Sequence, residues 1–187
     1  MTDLALGVRR AAWGVRVLAV ILGAVLVAAA AQVAIPLPGT PVPMTLQPMA
    51  VLLVGGLLGA RLGALSMMLY LALGAAGLPV FTPTVPLAGF ARLIGPTGGY
   101  LLAYPVAAWA VGAIVAERSR VWRVAGGVVA GLVLIHLGGL AQLAILTGEL
   151  SAAARFGTVP FLWGDLIKLA VLVPVLVRLT PTIRARL

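Results

Sequence analysis

The chain has 187 residues, 63% of them hydrophobic and 9% charged, with a mean hydropathy of +1.19, whereas soluble domains use roughly 45–50% apolar and about 25% charged residues. A water-soluble globule is excluded, and six apolar helices of about 20 residues would take up about 120 residues, leaving one membrane domain, residues 1–187, and no second folded unit. The formal charge of +9 does not indicate nucleic acid, because twelve of the thirteen basic residues are arginines at the ends of apolar runs, and with no cysteine, one histidine and four acids the chain is expected to hold neither a metal nor a cofactor.

Residues 17–35 form an apolar run broken only by Gln32, long enough at 1.5 Å per residue to cross the hydrocarbon core. Arg9, Arg10 and Arg16 ahead of it, and Ala29-Ala30-Ala31 within it, also have the look of a cleavable signal sequence. The equally apolar sequence downstream favours a retained first helix. Pro36 to Pro43 carries four prolines and Gly39 and reads as a loop. Residues 46–59 and 62–77 predict two short helices joined near Arg61. A second proline-rich stretch, Leu78 to Pro96, leads to a helix over 98–116 that ends in the charged knot Glu117-Arg118-Ser119-Arg120. Residues 124–146 form the fifth span. A polar connection with Glu149, Ser151 and Arg155 follows, and 161–177 is the sixth. The expected fold is an all-α integral membrane protein, a compact bundle of six transmembrane helices.

The basic residues sort by loop. Arg9, Arg10, Arg16, Arg61, Arg118, Arg120, Arg123, Arg178, Arg184 and Arg186 fall on one side, and only Arg92 and Arg155 on the other. Since cytoplasmic loops collect Lys and Arg, both termini are expected inside the cell and the proline-rich and polar connections outside. Small residues at a spacing of four, such as Ala19 and Gly23, Ala24 and Ala28, or Gly55, Gly59 and Gly63, allow helix backbones to approach closely. They serve packing within the bundle or, for Ala24 and Ala28, docking to another membrane subunit.

Ionisable groups inside lipid are expensive, so they are paired, line a wet cavity or carry function. Asp165 and Lys168, three residues apart on the sixth span, share a helix face. They form either a structural ion pair or, near a helix N-terminus that favours anions, a binding site for a carboxylate and N–H donors. Thr45 and Gln47 at the outer end of the second helix are candidates for the same site. So are Arg92, Thr97, Gly98 and Tyr100 around the turn Gly95-Pro96-Thr97-Gly98-Gly99-Tyr100, which is not a phosphate loop because it lacks that motif's spacing and lysine. Trp163, Phe81, Phe90 and Tyr104 could supply an apolar wall or anchor at the interface. His136 and Gln142 are expected to make polar contacts between helices, and Glu149 and Arg155 to be solvated. No nucleophile with a base and no nucleotide-binding motif emerges, so an enzyme is not expected.

These stretches carry a resemblance. Pro41 to Gln47, Leu57 to Ala64, Gly74 to Phe81, Gly95 to Tyr100 and Pro160 to Lys168 occur in an order that resembles the BioY family, the biotin-specific S components of energy-coupling factor transporters. The resemblance implies six helices in the plasma membrane of a prokaryote, capture of biotin from outside, and association with a membrane coupling subunit and two cytoplasmic ATPase subunits. It also implies that Asp165 and Lys168 are the family's binding pair. An S component for another vitamin, or a structural membrane subunit without a ligand, remains the alternative.

Overall fold

A computed structural model describes residues 2–116 and 120–187, with side chains from Trp13 onward. The side chains of Arg9 and Arg10, and the Glu117-Arg118-Ser119 part of the charged knot, lie outside the described residues. In chain order the elements are α1 (Thr2–Gln32), β1 (Ala34–Ile35), β2 (Met44–Thr45), α2 (Gln47–Leu58), α3 (Ala60–Ala75), α4 (Ala91–Ile94), α5 (Gly98–Ile114), α6 (Val121–Thr147), α7 (Leu150–Gly157), a 3-10 turn (Val159–Phe161) and α8 (Leu162–Arg184).

Each apolar run of the sequence becomes a helix, and the differences lie at the ends. The first helix stops at Gln32, three residues short of the expected end, because Ala34 and Ile35 pair antiparallel with Thr45 and Met44. The proline-rich loop is therefore pinned into a small hairpin. The last helix runs on to Arg184 across Arg178 and Pro181, since a charge at the lipid boundary does not end hydrogen bonding along the helix. The second proline-rich stretch and the polar connection, read as loops in the sequence, contain the short helices α4 and α7.

The break between α2 and α3 sits at Gly59, not at Arg61, which lies within α3. Gly59 has φ +84°, a left-handed conformation that residues with a Cβ rarely adopt, yet its N–H still reaches Gly55 O at 3.0 Å. There α3 folds back on α2. A Cβ on Gly63 would stand 2.8 Å from Gly55 Cα, whereas a continuous helix would set these residues about 12 Å apart.

α5 closes onto the same hairpin. A Cβ on Gly55 would strike the backbone of Ala108, one on Gly112 the backbone of Ala60, and Gly99 and Gly138 face each other where α5 crosses α6. These glycines let backbones touch, which in lipid replaces the missing hydrophobic drive between helices. The core around them is filled by Val51, Leu52, Met67, Tyr70, Val111, Leu172 and Leu176. α2 lies at the centre, packed on α1, α3, α5, α6 and α8.

Outside, the surface is apolar. Leu18, Leu22 and Val25 on α1, Val133 and Leu137 on α6, and Leu166 and Ile167 on α8 are exposed, as a bilayer-facing surface requires. Trp13–Gln32, Val121–Thr147 and Leu150–Arg184 are long and apolar enough to cross a membrane by length and composition. Ala24, expected as a docking position, is 2% exposed and belongs to the core, with Ala28 half-buried against it. The spacing is consumed by packing of α1 on α2 and α3.

Gly55→Ala is expected to destabilise the purified protein by about 1–3 kcal/mol through overpacking. Gly14→Ala, inside α1 where nothing lies within 4 Å of the new Cβ, should not lower the midpoint of thermal unfolding in detergent, because alanine has the higher helix propensity.

Candidate functional site

At the end of the bundle that carries the hairpin, the helices diverge around a cavity with an apolar lining and a few polar side chains. Its walls come from the hairpin (Val42, Pro43, Thr45), the start of α2 (Gln47, Pro48), the following loop (Phe81, Thr82), Arg92 of α4, the first turns of α5 (Thr97, Tyr100, Leu101, Tyr104), α6 (Leu132, Ile135, His136), and Phe161, Asp165 and Lys168.

Asp165 and Lys168 lie on the first two turns of α8, and the spacing of three residues brings Lys168 Nζ to 2.7 Å from Asp165 Oδ1. The second carboxylate oxygen, Oδ2, is met at 2.6 Å by His136 Nε2 of α6. Asp165 is 8% exposed and Lys168 7%. Charges this deep are tolerated only with partners that satisfy their hydrogen bonds, and here each oxygen has one. The His136 ring is flanked by Tyr100 and Phe161, with ring centroids 6.5 Å away in both cases. Its Nδ1 is buried without a partner.

Arg92 forms a different wall. It is 1% exposed, and its guanidinium donates from Nη1 to Val85 O at 2.7 Å and Leu87 O at 3.3 Å, and from Nη2 to Thr82 O at 3.0 Å. Three carbonyls of the second proline-rich loop are thereby wrapped around one cation. Burial lowers its pKa from the ordinary value, but a guanidinium keeps its proton at any ordinary pH. Among the described residues no carboxylate lies within salt-bridge distance of Arg92, and its Nε is buried without a partner, as is the nearby Thr97 Oγ1. The Asp165–Lys168 wall is charge-balanced, and the Arg92 wall carries an uncompensated positive charge with spare donors.

The rest of the polar lining is braced. Gln47 Nε2 donates to Tyr70 OH at 2.5 Å, Tyr70 OH to Val80 O at 3.2 Å, and Thr45 Oγ1 accepts from Gln47 N at 3.3 Å. The Tyr70 and Phe81 rings meet edge to face, their centroids 5.4 Å apart. Gln142 Nε2 donates to Leu93 O at 3.0 Å and Gly95 O at 2.7 Å, fixing α4 against α6. Tyr100 OH donates to Gly157 O at 2.5 Å and Thr40 Oγ1 to Phe156 O at 2.7 Å, so α7 is fastened both to α5 and to the hairpin loop.

The structure thus gathers Asp165, Lys168, Thr45, Gln47, Arg92, Thr97 and Tyr100 around one cavity, and places two expected residues elsewhere. Trp163 is 79% exposed. It stands beside the helix face that carries Asp165 and Lys168 but points outward, where its amphipathic ring suits a membrane interface. Gly98 is buried against Leu93 O and Gln142, so its missing Cβ serves the packing of α4 and α6 rather than close approach of a ligand. Phe81 and Tyr104 do line the cavity, whereas Phe90 is exposed. His136 was expected to be a contact between helices. It is one, but its partner is the site's own carboxylate, and the signal that could have shown this was a single histidine at the depth of a single intramembrane aspartate.

A helical bundle with a bilayer-facing surface and a cavity at one end, lined by a balanced ion pair, a buried arginine and apolar rings, defines a membrane protein that holds a small polar molecule. The sequence matches the BioY family over residues 5–185. It is 40% identical over 155 residues to the biotin transporter BioY of Thermotoga maritima, covering 82% of this chain and 89% of that one. It is likewise 40% identical over 139 residues to the probable biotin transporter BioY of Pyrococcus horikoshii, covering 74% and 81%. The crystal structure of the S-component for biotin from an ECF-type ABC transporter superposes with a TM-score of 0.78 at 26% identity, covering 88% of this chain and 89% of that one. The chain belongs to the BioY family of membrane transport proteins and is not an enzyme.

Arg92→Met should release the carbonyls of Thr82, Val85 and Leu87, and hydrogen exchange of the 80–90 segment in the purified protein is expected to rise while that of α5 and α6 stays unchanged.

Proposed function

We propose that this chain is the substrate-binding membrane subunit of a biotin uptake system, capturing biotin from outside the cell. The observation that carries the reading is the charge pattern of the cavity. Biotin has a ureido ring with two N–H donors and a carbonyl acceptor at one end and a carboxylate at the other, joined by an apolar ring and chain. The balanced Asp165–Lys168 pair offers an acceptor and a donor suited to the ureido group. The buried Arg92, without a counter-charge among the described residues, suits the carboxylate together with Thr97, and Phe81, Tyr104, Leu132 and Phe161 suit the apolar middle. The names of the relatives and of the similar crystal structure support the same ligand.

The six long helices, α1, α2, α3, α5, α6 and α8, are the spans of this reading, with both termini cytoplasmic, as the sorting of arginines suggests. At about 18 Å, α2 is shorter than the hydrocarbon core, and the hairpin continues it outward. The chain itself brings no motor. The loaded subunit works with a membrane coupling subunit and two cytoplasmic ATPase subunits, the loops over residues 36–45 and 82–97 closing on biotin before the bundle reorients to release it inside.

Calorimetry on detergent-purified protein is expected to show tight binding of biotin and no heat with thiamine or riboflavin, the ligands of the competing reading; the reverse pattern would overturn the assignment. Since removing one partner of a buried ion pair costs about 3–5 kcal/mol, Lys168→Ala and Asp165→Ala should each weaken biotin binding by at least about a hundredfold in protein that remains folded. Biotinamide, which keeps the ureido end but lacks the negative charge, should bind at least about tenfold more weakly than biotin to the wild-type protein and equally to Arg92→Met, because a charge-assisted hydrogen bond contributes about 1.5–3 kcal/mol.

A further inference from the structure

The cavity contains one polar atom for which the ion pair offers no role. Asp165 accepts from Lys168 at Oδ1 and from His136 Nε2 at Oδ2. An ionised carboxylate only accepts, so the geometry puts the imidazole hydrogen on Nε2 and leaves Nδ1 of the neutral ring a lone pair. That Nδ1 is buried and has no partner, on a residue that lines the cavity. A doubly protonated ring would instead bury an N–H with nothing to receive it, which is the less favourable state. We propose that His136 is a ligand-contacting residue of this site, its Nδ1 accepting an N–H of the ureido group while its Nε2–H holds Asp165 in place.

The inference rests on the biotin reading and adds a requirement to it. Binding needs the neutral imidazole, so ligand and proton compete for Nδ1 and each weakens the other equally. The groups that face or surround His136 are Asp165 and Lys168 on α8, Tyr100 and Tyr104 on α5, and Arg92 on α4. α2 carries no titratable side chain, and Arg155 of α7 is exposed.

His136 is the sole histidine of the chain, so 15N-imidazole spectra of protein prepared without a histidine tag report on this residue alone. The free protein should show the Nε2–H tautomer, and saturating biotin should shift the unprotonated Nδ1 resonance in the direction of an accepted hydrogen bond. Affinity should fall as pH is lowered, with a proton released on binding at the acid side. His136→Phe, which keeps a ring of similar size, should bind biotin about tenfold more weakly or worse and lose that proton release. Biotin heat with an unmoved Nδ1 resonance, or a proton release that persists in His136→Phe, overturns the role of His136 and leaves the biotin reading intact. Absence of biotin heat from the wild-type protein overturns both.

Discussion

An ionised carboxylate inside an apolar bundle must have both of its oxygens met by donors, and the arrangement around Asp165 meets this condition with side chains from two helices. Lys168 comes from the next turn of α8 and His136 from α6. The contact therefore sets more than local charge, since it fixes the rotation of α8 about its axis and its height against α6. With that face turned inward, Leu166, Ile167 and Trp163 are left to face outward, and Leu172 and Leu176 fall into the core one and two turns below the pair.

The same helix is held at its other end by a different chemistry. Arg184 Nη2 donates to Gly56 O at 2.8 Å and Gly112 O at 3.1 Å, carbonyls in the last turns of α2 and α5, where the helix has no donors of its own and carries negative partial charge. Arg16 of α1 donates to Leu187 O at 2.7 Å. The arginines that sort to one side in the sequence thus also bind backbone carbonyls at and near helix ends. A topology signal and a structural role coincide in these residues, which is why the helix continues past Arg178 when hydropathy suggests that it stops.

Much of the architecture was legible because lipid imposes it: apolar runs must become helices, and prolines at 36–43 and 78–96 had to fall between them. The Asp165–Lys168 pair was legible for the same reason, as charge in lipid is rare. What hydropathy could not show is which way a side chain points. Trp163 lies two residues before Asp165 and five before Lys168 in sequence yet faces outward, and Ala24 belongs to a stripe whose exposed or buried fate depends on where α3 packs. His136 was invisible as a member of the site because its role depends on the rotation of α6 relative to α8, a tertiary fact that no single-helix pattern contains. The break at Gly59 was placed two residues late because Arg61 interrupts hydropathy, whereas the chain turns where a residue without Cβ permits it.

The two ends of the bundle differ in how far they can deform. Toward the end away from the cavity, α2, α3 and α5 meet backbone to backbone at Gly55, Gly63 and Gly112, contacts with no side chain that could rotate to absorb a shift, and Arg184 clasps the ends of two of these helices. Over the cavity α7 and the hairpin loop are fastened by single bonds from hydroxyls to carbonyls, Thr40 to Phe156 and Tyr100 to Gly157, each contributing only about 1 kcal/mol net, whereas the 82–97 segment is held more firmly by Arg92 and Gln142. The hairpin adds two residues of pairing on each strand. Opening the hairpin side of the cavity therefore breaks only a few weak contacts, while Asp165, Lys168 and His136 stand on the long helices α6 and α8. The site is assembled on the part of the fold that does not yield, and covered by the part that does.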